Sequence, residues 1–224
     1  MTVINTRNAE TINIDTNGTY DVARYTTANV SVGGGYNVLD RVKDDSDNDI
    51  GCVVGFHTDA NNQKYAVVCI NKQYRPADNT CQYLSSNTEV IGIPLYMSNM
   101  VWEAPETATF NCDKILAQAT ADNLTSSAVS VCRGISFVIG GTTYYGQLPT
   151  IFQLVNIMQL RTKINNSDPS QTGTNIGTGY AWSFWSSTQR YQTQAWQIGT
   201  NGNADYTSKT QGRAVVPVLE IPIQ

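Results

Sequence analysis

Apolar and polar positions alternate through the first 32 residues. In ETINIDTNGTYDVARYTTANVSV the apolar pairs are Ile12 and Ile14, Tyr20 and Val22, and Val30 and Val32. Side chains of a strand point to opposite faces in turn, so this spacing predicts strands with one buried face. Asn17-Gly18 reads as the turn between the first two. A segment this short has little core of its own and is expected to pack on a partner chain or on the rest of the protein. Gly33-Gly34-Gly35 reads as a joint. Residues 1–35 are therefore expected to form a small β segment for attachment or oligomerisation, and residues 36–224 the main domain.

From Tyr36 the pattern changes. IGCVVGF and KYAVVCI are β-branched runs joined by HTDANNQ, which predicts a hairpin with a longer loop. Residues 71–110 carry Pro76, Pro94 and Pro105 and read as irregular. NCDKILAQATADNLTSSAVSVCRGI holds a helical region with Leu124, Ala128, Val131 and Cys132 on one side. In LPTIFQLVNIMQLRTKIN, Ile151, Leu154, Ile157, Met158, Arg161 and Ile164 recur at helical spacing. Thr150 and Gln153 form a capping box at its start. NNSDPSQTGTNIGTG is a loop by composition, and YAWSFWSS, AWQIGT and RAVVPVLEIPI follow as short strands, with a turn at TNGN. Strands enclosing a helical middle predict an α+β domain.

Composition narrows the partners. Only 14% of the 224 residues are charged, and the net charge is -4. Thr, Asn, Ser and Gln take the place of charge, a balance common on neutral polar surfaces of extracellular or virion-exposed β-rich proteins. No run of Lys or Arg supplies the clustered cations that nucleic-acid binding needs. No apolar run reaches the roughly 20 residues of a membrane span. The first residues lack the basic and apolar regions of a secretory signal. The five cysteines, Cys52, Cys69, Cys81, Cys112 and Cys132, are odd in number and without a CxxC pair. They predict mostly free thiols and assembly in a reducing cytoplasm, with a Cys112–Cys132 bridge left open.

Candidate chemistry is sparse. His57, the one histidine, falls in the expected hairpin loop, where a solvated side chain is the ordinary outcome. Five scattered cysteines and one histidine do not make a zinc site, and no metal or other cofactor is expected. Asp45, Asp47 and Asp49 alternate as in a calcium loop, but Gly51 comes one place late and Phe56 stands where a bidentate Glu belongs. A charged β-turn is the simpler reading. Glu103 and Glu106 could serve a glycosidase, which needs two carboxylates.

Three of the four tryptophans lie in WSFWSSTQRYQTQAWQ. LPT opening a helix, WSFWSST, AWQI, NG and a closing RAVVPVLEI together resemble the C-type-lectin-like fold. More specifically they resemble the branch shared by formylglycine-generating-enzyme-like domains and the variable proteins of diversity-generating retroelements. The match runs from about Cys132 to Ile221 and is looser over residues 36–131. DTNGTYDVARYTTANVSV is similar to N-terminal segments of phage tail-fibre proteins. The second Arg of the family's closing strand is missing here, as are the calcium–sugar motifs of animal lectins. No cysteine lies beyond Cys132, so formylglycine-generating activity does not carry over.

The resemblance implies two helices with antiparallel strands, and Trp185 and Trp196 in the core. It implies a non-catalytic receptor-binding protein of a phage tail or tail fibre, trimeric like fibres, on the virion. Its partners would be a host cell-surface protein or glycan and other tail proteins. A bacterial surface adhesin and a phage glycan hydrolase are the alternatives. The binding face would lie within residues 180–212, at Tyr180, Ser183, Phe184, Arg190, Tyr191, Thr193, Asp205, Tyr206 and Thr207. Tyr with small polar residues is the composition of a paratope. Retroelement diversification rewrites adenines in Asn codons, which can then encode each of these residue types. It cannot yield Trp182, Gln189, Gln192, Gln194, Trp196, Gln197 or Lys209, which would form the fixed frame.

Overall fold

A computed structural model describes residues 36–70, 81–96, 106–167, 176 and 183–223, and the backbone of a hairpin formed by residues 2–5 and 10–13. The protein is mixed α+β. In the hairpin, β1 (Thr2–Asn5) pairs antiparallel with β2 (Glu10–Asn13), Val3 opposite Ile12. This pairing lies ahead of the expected Asn17-Gly18 turn. Residues 14–35, with that Asn-Gly pair, lie outside the described residues.

The larger sheet runs in the order β13-β5-β4-β3, all antiparallel. Its strands are β3 (Arg41–Lys43), β4 (Asp49–Thr58), β5 (Lys64–Ile70) and β13 (Val218–Ile223). The expected β4–β5 hairpin is present, with Val53 opposite Val68 and Cys52 opposite Cys69. β4 runs on through His57, which is 8% exposed and opposite Tyr65. The expectation of a solvated loop histidine is thus corrected: the loop is only residues 59–63. A smaller sheet has the order β11-β10-β9, built from β9 (Ser183–Tyr191), β10 (Gln194–Gly199) and β11 (Ala204–Ser208). β6 (Cys81–Gln82) pairs with β12 (Gly212–Arg213). A further hairpin, β7 (Ser136–Ile139) with β8 (Thr142–Tyr145), turns at Gly140 and Gly141, which take φ of 58° and 75°.

There are three helices among the described residues rather than two: α1 (Ala108–Ala121), α2 (Ser127–Arg133) and α3 (Ile151–Ser167). The helical stretch expected around Leu124 is broken there. Asn123 turns to φ 53°, and Ser126 caps a new helix by accepting from Val129 N. Such short polar side chains compete with helical hydrogen bonding and favour caps. The start of α3 is as the sequence predicts. Thr150 Oγ1 accepts from Gln153 N at 3.3 Å and Gln153 Oε1 accepts from Thr150 N at 3.0 Å.

Three apolar clusters hold the layers together. α3 lies between the two sheets through Leu154, Ile157, Met158 and Ile164. These pack with Val54, Val67, Phe184, Ile198 and Val218. The other face of the large sheet packs on the β7–β8 hairpin through Ile139, Phe137 and Tyr144. Trp185 and Ala195, from the smaller sheet, face α1 and α2 with Cys112, Ile115, Ala128 and Cys132. All five cysteines are free and buried. Burial pushes the Cys52 and Cys112 thiols up to about 12.

Glu220 joins these layers. It is 6% exposed. Its carboxylate accepts from Ala108 N at 2.8 Å, Thr109 N at 2.9 Å, Thr109 Oγ1 at 2.8 Å and Gln153 Nε2 at 2.7 Å. The anion thus meets the positive end of α1 and the first turn of α3 from the middle of β13. Glu220→Gln would turn one acceptor into a donor facing helix N–H groups. It is expected to lower stability by about 2–3 kcal/mol, read from urea midpoints at unchanged m-value. A change under about 0.5 kcal/mol would show that the carboxylate is replaceable.

Candidate functional site

The smaller sheet carries the sequence-predicted face. β9 and β10 meet at the turn Gln192-Thr193, and β10 and β11 at Thr200–Asn203, where Gly202 takes φ 83°. β9 is buried from Phe184 to Gln189. Phe184 joins the α3 cluster and Trp185 the α1–α2 cluster, so the strand is covered on both sides. Its backbone is pinned as well. Ser186 Oγ donates to Trp196 O at 2.8 Å, and Thr188 Oγ1 accepts from Ile151 N at 3.0 Å. Trp185 Nε1 donates to Cys81 O at 2.8 Å.

Gln189 and Lys209 clamp the far end of β9. Gln189 Nε2 donates to Val90 O at 3.0 Å and Ile93 O at 3.1 Å, and its Oε1 accepts from Val90 N at 2.7 Å. Lys209 is fully buried. Its ammonium donates to Thr88 O and Gln192 O, each at 2.7 Å, and to Gln189 Oε1. The loop at residues 88–93, the β9–β10 turn and the end of β11 are thereby held as one piece.

Where β9 emerges, Arg190 and Tyr191 reach the surface. Trp196 is opposite Tyr206 in the register, and their rings meet edge to face at 5.8 Å. The Arg190 guanidinium lies 3.3 Å from the Tyr206 ring centre, 4.6 Å from that of Tyr191 and 5.7 Å from that of Trp196. Its Nη1 donates to Gln194 Oε1 at 2.9 Å. Tyr191 is 39% exposed and Tyr206 38%, while Trp196 is 2% exposed. Trp196 packs on Ile151, at the start of α3, and donates from Nε1 to Tyr96 O at 2.9 Å. Tyr96 in turn donates its hydroxyl to Glu106. Burial, then Glu106, push that hydroxyl up.

The predicted residues divide. Arg190, Tyr191 and Tyr206 come together around Trp196, with Thr193 exposed in the adjoining turn. Asp205 and Thr207 are opposite Gln197 and Ala195, so strand alternation turns them to the other face of the sheet. There Gln197 Oε1 accepts from Arg213 Nε at 2.6 Å, and Asp205 offsets the effect of burial, which lowers the Arg213 pKa. Ser183 is half-buried at the opposite end of β9, opposite Gly199. Phe184 is withdrawn from the face: it is fully buried, because alternation on a strand covered on both sides leaves no outward position. Tyr180 lies outside the described residues.

Gln194 and Tyr96 join the site from outside the expected set. The codon class assigns Gln194 to the frame, and only the register places it beside Arg190. Nothing in the sequence links Tyr96 to Trp196.

Other chemistry is absorbed by structure. Asp45 accepts from Gly140 N at 2.6 Å and Gly141 N at 2.8 Å, Asp47 pairs with Lys43, and Asp49 pairs with Arg41. The acidic stretch is a turn that docks the β7–β8 hairpin. Among the described residues no group of three or more His, Cys, Asp or Glu side chains is placed to hold a metal ion. No described helix is long and apolar enough to cross a membrane. Glu106 is engaged by Tyr96, and Glu103 lies outside the described residues.

Lys209 makes the frame sensitive to pH. Burial pulls its ammonium down to about 7, opposed by Glu89. Between that value and the 10.5 of an ordinary lysine, the unfolded chain holds a proton that the folded one releases. Stability therefore rises as pH climbs through this window and is lost as pH falls back toward 7. The expected slope is at most about 1.4 kcal/mol per pH unit. Urea midpoints of wild type and Lys209→Met at pH 7 and 9 should show a more positive slope in wild type, since the buried cysteines, with thiols pushed up by burial, lower stability toward pH 9 in both. Parallel behaviour of the two would place the lysine's titration elsewhere.

No protein-family model matches the chain, and no curated protein matches it in sequence.

Proposed function

We propose that the chain is a non-catalytic ligand-binding protein whose contact face is the outer end of the β9–β11 sheet. The observation that carries this is the Arg190 guanidinium held between the Tyr191 and Tyr206 rings above a buried Trp196. Trp, Tyr and Arg are the residues that dominate binding hot spots, and they do so when fixed in a well-packed setting. Here the setting is fixed by α3, the Gln189–Lys209 clamp and Trp196, while the rings remain open to a partner.

The finer reading is a C-type-lectin-like receptor-binding protein of a phage tail or tail fibre, diversified by a retroelement. A split in burial supports it besides the motif order. The residues outside the codon set include Gln189, Trp196, Gln197 and Lys209, all buried, while Tyr191, Thr193, Asp205 and Tyr206 are exposed. Gln192, exposed, and Phe184, buried, depart from that split. On this reading the protein works as a homotrimer on the virion, residues 1–35 join it to other tail proteins, and several weak sites on one particle add avidity.

Two measurements test it. Fluorescent protein applied to a panel of bacterial strains should label some of them. Tyr206→Ala should cut that labelling at least tenfold while moving the urea midpoint by less than about 1 kcal/mol. Equal labelling with and without the ring would sink the binding face. Sequencing beside the gene should show a near-identical copy of codons 180–212 that differs only at adenines, next to a reverse transcriptase. Its absence would remove the diversification reading and leave the face.

A further inference from the structure

We infer that the partner of this face is a protein and that it presents an acidic side chain to Arg190. The inference rests on the face proposed above and adds the chemistry of its occupant. Among the described residues Arg190 has one hydrogen bond, from Nη1 to Gln194 Oε1, and its Nε is buried without an acceptor. The ion pairs among those residues are Arg41–Asp49, Lys43–Asp47 and Arg133–Asp113. None involves Arg190. Asp205, its acidic neighbour across the sheet, belongs to the opposite face with Gln197 and Arg213. Among the described residues the half-buried guanidinium is thus a cation without an anion, in a chain whose net charge is -4.

Its geometry suits a carboxylate. The guanidinium lies over the Tyr206 and Tyr191 rings, and Gln194 accepts from its Nη1. With Nε buried, a guanidinium so held offers its terminal Nη edge with the ordering cost already met, and a carboxylate matches that edge with two parallel hydrogen bonds. The apolar walls of the rings strengthen the pairing by lowering the local dielectric.

The same geometry argues against a sugar. A glycan docks on an aromatic platform through an open ring face. The Tyr206 ring is covered at 3.3 Å by Arg190, and Trp196 meets it edge to face. Trp196 itself is 2% exposed. One face of the Tyr206 ring is taken by the cation and the Trp196 ring is buried, which reduces the stacking platform a sugar would need and leaves the guanidinium for an acidic side chain of a protein.

A displayed library of random constrained peptides provides the test. Selection on wild type, with counter-selection on Tyr206→Ala, retains peptides that use this face. The retained peptides should carry a shared Asp or Glu. Its replacement by Asn or Gln in a synthetic peptide should weaken the Kd tenfold or more. Arg190→Gln should weaken the parent peptide by a similar factor, and the two changes together should cost little more than either alone. The peptide-side change needs no protein variant, so a poorly folding Arg190→Gln leaves the test standing. Retained peptides without an acid, or fully additive losses, would overturn the inference and leave the face intact. An Arg190-dependent complex with a glucuronate-containing oligosaccharide, tested in parallel and with no acidic peptide found, would overturn the choice of a protein partner. No peptide sensitive to Tyr206 would overturn the face, and this inference with it.

Discussion

β9 passes between two apolar clusters, and its successive side chains enter both. Phe184 goes toward α3 and Trp185 toward α1 and α2. Burying each large ring contributes roughly 2–3 kcal/mol. A shift of β9 by one residue would exchange the two faces and lose both at once. The polar residues that follow fix the axial position. Ser186, Ser187, Thr188 and Gln189 are all buried. Ser186 and Gln189 hydrogen-bond backbone of β10 and of the loop at residues 90–93, and Thr188 caps the start of α3. A buried hydroxyl or amide without a partner is costly, so these contacts allow the strand one register.

That constraint is what turns the end of β9 into a platform. Arg190 and Tyr191 are the first residues to leave the packed interior, and they leave in a fixed direction. Tyr206 comes from β11, at the sheet edge, where side-chain changes meet few neighbours. The partner that joins them is Trp196, whose indole is simultaneously core and floor. It closes over the start of α3 below and meets Tyr206 above. Changes at the exposed rings would leave β9 untouched, because the packing that positions the strand lies wholly beneath them.

Much of the frame is legible in the sequence because it depends on local chemistry. The Thr150–Gln153 box and the β4–β5 hairpin follow from spacing and residue type, and the inward Trp185 and Trp196 are what the motif resemblance implies. The break between α1 and α2 was hidden because the apolar spacing continues across it, while Asn123 and Ser126 act through backbone conformation and capping. The β7–β8 hairpin was missed although Gly140-Gly141 is a turn signal. Its strands are half-exposed and owe their place to Asp45, a contact distant in sequence. The face was legible in outline and misjudged in detail. Phe184 is expected outside because it stands between the fixed points of the resembled motifs, whereas β9 is covered on both sides. Asp205 and Thr207 were grouped with Tyr206 by proximity along the chain, and the register sends them to the other side.

This division of the sheet has a consequence for how the protein carries charge. On the side of Asp205, Arg213 donates to Gln197, lies within reach of the Asp205 charge and is compensated. On the side of Tyr206, the described neighbours of Arg190 are aromatic rings and Gln194 in place of an acid. A ring attracts a cation through its quadrupole but accepts no strong hydrogen bond. The two faces therefore differ in kind. One is a closed network that stabilises the strand pair, and the other leaves its cation hydrogen bonds to be completed from outside. A surface that served only stability would gain by placing a carboxylate near Arg190, as the pairs Arg41–Asp49 and Arg133–Asp113 do elsewhere in the molecule. Leaving that position to aromatic groups gives up local stability for a fixed, accessible cation. Such an exchange is expected where side chains are arranged for a partner and the fold is secured by other contacts.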